Sequence, residues 1–292
     1  MTAPFQLHRP VSIGEATALL SRLGDGAALY CGGTELLQVM KMGLASFDHL
    51  IDVKSIEPLR GITADEAGTL RIGAAVTHRE LERSALIAEL LPSLAELERH
   101  VANVRVRNSG SLGGNLCFAE PHSDPATLLI AANAVLHLEG PAGSRMVPLE
   151  DFILGPLTTV REPDEMLVSV TVPKVPADTF LAYRKIAFHE RPVASVAARV
   201  TVAGGRIESA RVVVGSVGER PMAIEDAGAA LAGAALRESG DALDRAASAA
   251  AAGCDAGSDI SGSEEYQRHL VRVLSRRALG EAVDQARGWA AA

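Results

Sequence analysis

The sequence predicts an α+β chain built as two domains, and three observations predict it. A length of 292 residues exceeds one average domain. Apolar residues recur at helical spacing in some segments and alternate or run together in others, so helices and strands are interleaved. The proline-containing stretch Lys174-Val175-Pro176-Ala177-Asp178 separates two such patterned regions, which sets domains over 1–175 and 176–292.

Taken in order, Ala16, Leu19, Leu20 and Leu23 share one helical face, and Gly24-Asp25-Gly26 ends that helix. The apolar run at residues 27–31 reads as a strand entering a turn at Gly32-Gly33. Thr34 is placed to cap the helix that follows, which carries Leu36, Leu37 and Met40. Residues 49–53 and 69–76 read as strands. Thr77-His78-Arg79-Glu80 fits a capping box, and the chain is helical from there to about residue 100, interrupted near Pro92. Next comes VRVRNSGSLGGNLCFAEPHSDPATLLIAANAVLHLEG, read as a loop with a glycine-pair turn, a helix from Pro125 capped by Asp124, and a strand from Val135. Residues 166–172 alternate as a strand.

In the second domain, residues 180–186, 194–202 and 207–217 read as strands, with Gly204-Gly205 as a hairpin turn. A helical stretch starts near Ala223. Ser261-Gly262-Ser263-Glu264 reads as a second capping box opening the final helix, which carries Leu270, Leu274 and Leu279.

Composition narrows the function classes. Aromatics are only 3% of the chain, so the core must be built from Ala, Val, Leu and Ile. A net charge of −8 argues against nucleic-acid binding, which needs a basic face. The N-terminal residues lack the pattern of a signal peptide, and no run approaches ~18 apolar residues, so no transmembrane segment is expected. Cys31, Cys117 and Cys254 are odd in number and far apart, which suits a reducing cytoplasm. They lack the spacing of an iron–sulfur or zinc site, so an electron carrier in this chain would have to be organic. His122 beside Glu120 and Asp124 lacks the further ligands of a metal site, and no metal is expected.

The two glycine pairs carry the chemistry. Glycine permits positive φ, so successive N–H groups can point into one concavity, and the missing Cβ lets a pyrophosphate approach the main chain. Gly32-Gly33-Thr34 ahead of a helix and Gly113-Gly114-Asn115 both fit such a use, and each alone also fits a plain tight turn. Neither matches a Rossmann or P-loop pattern.

Tyr30-Cys31-Gly32-Gly33-Thr34-Glu35-Leu36-Leu37 with Met40-Lys41 resembles the first FAD-binding turn of the flavoprotein subunits of molybdenum hydroxylases. Arg107-Asn108-Ser109-Gly110-Ser111-Leu112-Gly113-Gly114-Asn115-Leu116 is similar to the second. Phe118-Ala119-Glu120-Pro121-His122-Ser123-Asp124-Pro125 extends it as in the medium subunits of aerobic carbon monoxide dehydrogenases, and the xanthine dehydrogenase FAD domain shares the pattern. Cys31 stands where relatives usually carry Ala or another small residue, and Glu35 where Asp or Ser is common.

The resemblance implies a two-subdomain FAD-binding fold of the vanillyl-alcohol-oxidase (PCMH) type, with subdomains about 1–57 and 58–175. A C-terminal α+β domain of carbon monoxide dehydrogenase flavoprotein type follows, a three-stranded antiparallel sheet packed with helices. It places Cys31, Gly32, Gly33, Thr34 and Glu35 against the FAD pyrophosphate, with Ser111, Gly113, Gly114 and Asn115 completing the cradle. Asp124 would accept a hydrogen bond from the cofactor, Leu167 would lie near the flavin and Tyr183 against a ring face, with Lys185, or Arg184 if the match slips by one, beside the ring.

No residue here would be catalytic toward a primary substrate. A molybdopterin-containing large subunit would oxidise it, a small subunit with two [2Fe–2S] clusters would deliver electrons to FAD, and NAD, a quinone or another acceptor would take them. The three subunits imply a heterotrimer, itself dimerised, in the cytoplasm or peripheral at the inner face of the membrane. A stand-alone FAD-dependent oxidase of the same fold is the alternative, and a scaffold with two plain turns is a second.

Overall fold

A computed structural model describes residues 3–291. The chain divides into two compact units: the first runs to Ala119 and resumes over Ala134–Pro173, and the second joins Glu120–Asn133 to the chain from Lys174 onward. The segment 120–133 thus belongs to the second unit although it interrupts the first in sequence.

The first unit opens with a three-stranded parallel sheet in which His49–Asp52 lies between Gln6–His8 and Ala27–Tyr30. Helix Ile13–Leu23 buries Ala16, Leu19 and Leu20 in one core with Ile51, Val53, Ile56 and Leu59. Ser12 caps that helix by accepting from the Glu15 N–H, and Gly24 ends it at φ +57°. The same unit holds a five-stranded antiparallel sheet, ordered Ile62–Ala64, Leu70–Gly73, Met166–Val172, Val135–Gly140 and Gly143–Pro148. Its central strand Met166–Val172 is buried along nearly its whole length, as a run of Val and Leu at that position requires.

Helices His78–Arg83, Ala85–Leu90 and Pro92–Arg99 follow one another, with Pro92 starting the third. The Thr77–Glu80 capping box forms as the sequence predicts. Two expectations change here. Thr34 does not cap helix Leu36–Lys41, whose N-cap position is Glu35. Gly113-Gly114 is not a loop: both glycines lie in the first turn of helix Leu112–Phe118, which Ser111 caps by accepting from the Gly114 N–H.

The second unit is a β-meander, Thr179–Ala187, Pro192–Ala203, Arg206–Gly215 and the two-residue strand Met222–Ala223, all antiparallel. The three long strands match expectation. The hairpin at Gly204-Gly205 has both residues at positive φ, +55° and +74°. One face packs Val196, Val200, Val212 and Val214 against Leu270, Leu274, Ala278 and Val283 of the 28-residue helix Glu264–Ala291. Ala278, Ala282 and Ala286 are fully buried, so small side chains let that helix approach the sheet, which is how a core poor in aromatics closes.

Helix Pro125–Ala131, buried on every residue, packs on strands Pro192–Ala203 and Arg206–Gly215. Asp124 occupies its N-cap position but makes no side-chain cap, because its carboxylate is engaged elsewhere. The final helix is capped by Ser263, whose hydroxyl accepts from the Tyr266 N–H, so the expected Ser261 box does not describe its start. The helical stretch expected from Ala223 begins at Glu225, after the short fourth strand.

Candidate cofactor site

Both glycine motifs lie in the first unit, and the fold brings them into contact. A Cβ built on Gly32 would lie 2.3 Å from the Ser109 carbonyl oxygen and 2.7 Å from Gly110 Cα. The Cys31 thiol hydrogen-bonds Ser111, and burial pushes that thiol above its ordinary value. Residues separated by about eighty positions in sequence therefore form one surface.

The second motif is held from below by segment 74–78. The Gly113 N–H donates to the Ala74 carbonyl, the Leu112 N–H to Val76 and the His78 N–H to Gly110, at 2.9, 2.9 and 3.0 Å. Ala74 is tied in turn to Val168 on the central strand of the five-stranded sheet. The cradle thus hangs from the most buried strand of the unit.

The four glycines have different reasons to be glycine. Gly32 and Gly113 are required by the backbone beside them, since a Cβ on Gly113 would lie 2.6 Å from Ala74 Cβ. Gly33 sits at φ +70°, and its Cβ would meet the Tyr30 ring at 2.4 Å, so both conformation and space exclude a side chain. Gly114 has helical rather than positive φ, and only Ser111 Oγ, at 2.9 Å, lies near its would-be Cβ. It alone of the four is exposed, so it is the glycine whose missing side chain leaves room for something other than protein.

The donors available there are backbone groups. Among the described residues, neither the Gly33 nor the Thr34 N–H donates to a protein acceptor. The helix after Gly32-Gly33 has six residues and the one that holds Gly113-Gly114 has seven, so an anion would be held by these N–H groups more than by a helix dipole. Lys54 supplies positive charge nearby, 4.0 Å over the Tyr30 ring and 3.2 Å from Asp52. Leu167, also in this unit, is buried at a register shift in its strand. Burial pushes the Cys117 thiol up to about 11, so it stays protonated at neutral pH.

In the second unit, Asp124 Oδ1 accepts from the Tyr183 hydroxyl at 2.6 Å and Oδ2 from Lys185 Nζ at 2.9 Å. Strand alternation puts Tyr183 and Lys185 on one face and Arg184 on the other, where it pairs with Glu281 at 2.6 Å. Lys185, not Arg184, therefore joins Asp124. His122 Nδ1 lies 3.0 Å from the Pro192 carbonyl, and Glu120 pairs with Arg191. Among the described residues no group of three His, Cys, Asp or Glu side chains could hold a metal. Nor is any described helix long and apolar enough to cross a membrane.

Sequence reasoning overlooked Ser109, Gly110 and segment 74–78 as the support of the cradle. The signal was present only in Gly110, a third glycine whose would-be Cβ points at the first turn, 3.4 Å from Thr34 Oγ1.

Two family models match the chain: the FAD binding domain in molybdopterin dehydrogenase over residues 3–175, and the CO dehydrogenase flavoprotein C-terminal domain over 183–282. The carbon monoxide dehydrogenase medium chain of Hydrogenophaga pseudoflava is 35% identical over 95% of this chain and 96% of its own. The xanthine dehydrogenase FAD-binding subunit of Escherichia coli O157:H7 is 28% identical over 96% of this chain and 97% of its own. Among solved structures, carbon monoxide dehydrogenase from Hydrogenophaga pseudoflava, in a form lacking the Mo-pyranopterin moiety of its cofactor, matches with a TM-score of 0.92. That match has 36% identity and covers 97% of this chain and 98% of that one.

Proposed function

This chain belongs to the FAD-binding medium-subunit family of the molybdenum hydroxylases, and from that premise we propose that it relays electrons between [2Fe–2S] clusters of a partner subunit and an external acceptor. It is an oxidoreductase subunit with FAD as its cofactor. FAD supplies a carrier that takes up and releases one or two electrons, which lets it join one-electron iron–sulfur donors to a two-electron acceptor such as NAD or a quinone.

The chain's own residues bind and orient. We assign the pyrophosphate to the surface where the two turns meet, with the N–H groups of Gly33 and Thr34 as donors and the exposed backbone of Gly114 as the point of close approach. Cys31, Gly32, Ser111 and Gly113 shape that surface, and Glu35 and Asn115 border it. The single observation that carries this reading is the contact of Gly32 with Ser109 and Gly110, which joins two separate glycine motifs into one surface.

For Asp124, Tyr183, Lys185, Arg184 and Leu167, roles toward the flavin rest on the family resemblance. The pairings refine what those residues could contribute. Lys185 is neutralised by Asp124 and Arg184 by Glu281, so neither offers an uncompensated positive charge to tune a potential. Asp124 keeps lone pairs that can accept a cofactor hydroxyl or ring N–H.

The partners in this reading are a molybdopterin-containing large subunit and a [2Fe–2S] small subunit, in a heterotrimer that dimerises in the cytoplasm or on the inner face of the membrane. Purification of the tagged chain from its own cells tests it. Molybdenum, iron and FAD should copurify with two further chains, at about four iron atoms per FAD if the small subunit carries two [2Fe–2S] clusters. A chain that carries FAD but arrives alone and free of both metals would contradict it and favour a stand-alone flavoprotein.

A further inference from the structure

A buried hydrogen-bonded His–Glu pair supports the second glycine motif. His78 opens helix His78–Arg83, fixed at its first position by the Thr77–Glu80 capping box. Its ring is buried, and Nδ1 lies 2.8 Å from Oε2 of Glu98, which is fully buried on helix Pro92–Arg99. A carboxylate acceptor requires the ring to present Nδ1–H on that side.

The opposite edge of the ring meets the cradle. A Cβ on Gly110 would lie 3.1 Å from His78 Cδ2, and the His78 N–H donates to the Gly110 carbonyl at 3.0 Å. The same glycine faces Thr34 of the first motif. His78 therefore meets Gly110 through both backbone and ring. A second tie reaches the motif from the same helix, where Glu82 pairs with Arg107 at 3.1 Å.

Packing alone does not call for this pair. Two apolar side chains would fill the space without the cost of burying a carboxylate, and such replacements are often neutral or stabilising. What a hydrogen-bonded pair adds is direction, since it fixes the rotation of the imidazole that Gly110 rests on.

We propose that His78, oriented by Glu98, is a positioning residue for the cofactor cradle: it sets Gly110 against Thr34 and thereby fixes FAD affinity without touching the cofactor. The proposal rests on the FAD reading above.

The test measures the FAD dissociation constant of the full-length apoprotein by flavin fluorescence quenching, beside its thermal melting without FAD. His78→Leu and Glu98→Leu should each lower melting and weaken FAD binding. The decisive variant is the double change to Leu at both positions. It should melt above either single variant, because neither member of the pair is left facing an apolar side chain, yet still bind FAD at least about tenfold more weakly than the parent.

FAD affinity that returns together with melting would overturn the proposal, since the pair would then be merely structural. If the double variant does not fold, Glu98→Gln is set beside Glu98→Leu, since only Gln keeps an acceptor that can orient the ring. Glu98→Gln should bind FAD at least about threefold more tightly than Glu98→Leu, and equal affinities in the two would overturn the proposal. A parent protein that takes up no FAD would instead overturn the functional reading itself.

Discussion

Gly32 rests directly on the Ser109 carbonyl oxygen, with only 2.3 Å available where a Cβ would stand. Both partners are main chain, so neither can swing aside. Gly32→Ala must separate the two motifs and is expected to cost about 1–3 kcal/mol in stability, the usual range for overpacking. It should also abolish FAD retention. The flavin-to-protein absorbance ratio after gel filtration and the apoprotein melting curve check both effects.

Gly33 and Gly114 are expected to differ. At Gly33 an alanine would face positive φ and the Tyr30 ring together, and FAD binding should be lost. Gly114→Ala keeps a favourable helical conformation and disturbs only the Ser111 cap, so binding should weaken without loss of fold. Gly114→Val should be worse because its larger, branched side chain projects toward the space assigned to the cofactor. Parent-like FAD affinity in Gly114→Val would show that the exposed face of Gly114 is not where the cofactor approaches. Dissociation constants for the three variants make the comparison.

Lys185 pairs with Asp124 in a largely buried setting. Asp124→Leu removes the acceptor that the ammonium and the Tyr183 hydroxyl share and should destabilise the protein by about 3–5 kcal/mol. Adding Lys185→Met should restore most of that loss. Denaturant unfolding of the two single variants and the double variant measures the coupling. Additive effects would mean that the pair contributes little.

Much of this organisation was legible in the sequence, and the failures share one cause. The Thr77–Glu80 box and the Gly204-Gly205 hairpin are local devices, and local residues specify them. Helix Leu112–Phe118 was hidden because two glycines in seven residues oppose a helix. It forms because Ser111 caps it and the ladder to residues 74–78 holds its start. Asp124 before Pro125 reads locally as a helix cap, but its carboxylate is taken by Tyr183 and Lys185, 59 and 61 positions away. The cradle itself has the same character: each glycine pair alone is a local feature, and only the contact of Gly32 with Ser109 makes them one surface.

An acid-sensitive contribution to stability is expected in the first unit. Two hydrogen bonds from Arg145, at 2.7 and 2.8 Å, hold the Glu165 carboxyl below its ordinary range. A carboxylate whose folded value is depressed stabilises the fold fully above its unfolded value of about 4.3. That contribution is lost as pH falls through the lower, folded value. Glu165→Gln should therefore lower stability at neutral pH and flatten its decline below pH about 4.3, as followed by urea unfolding at several pH values. An unchanged acid limb would remove Glu165 from the account.

The most direct measurement is a titration of the purified apoprotein with FAD, run beside the Gly32→Ala variant. The cradle predicts uptake of one FAD per chain by the parent, a yellow protein with bands near about 375 and 450 nm, and none by the variant. A parent that stays colourless, or a folded Gly32→Ala protein that binds FAD as tightly as the parent, would contradict the claim that the two glycine motifs together hold the cofactor.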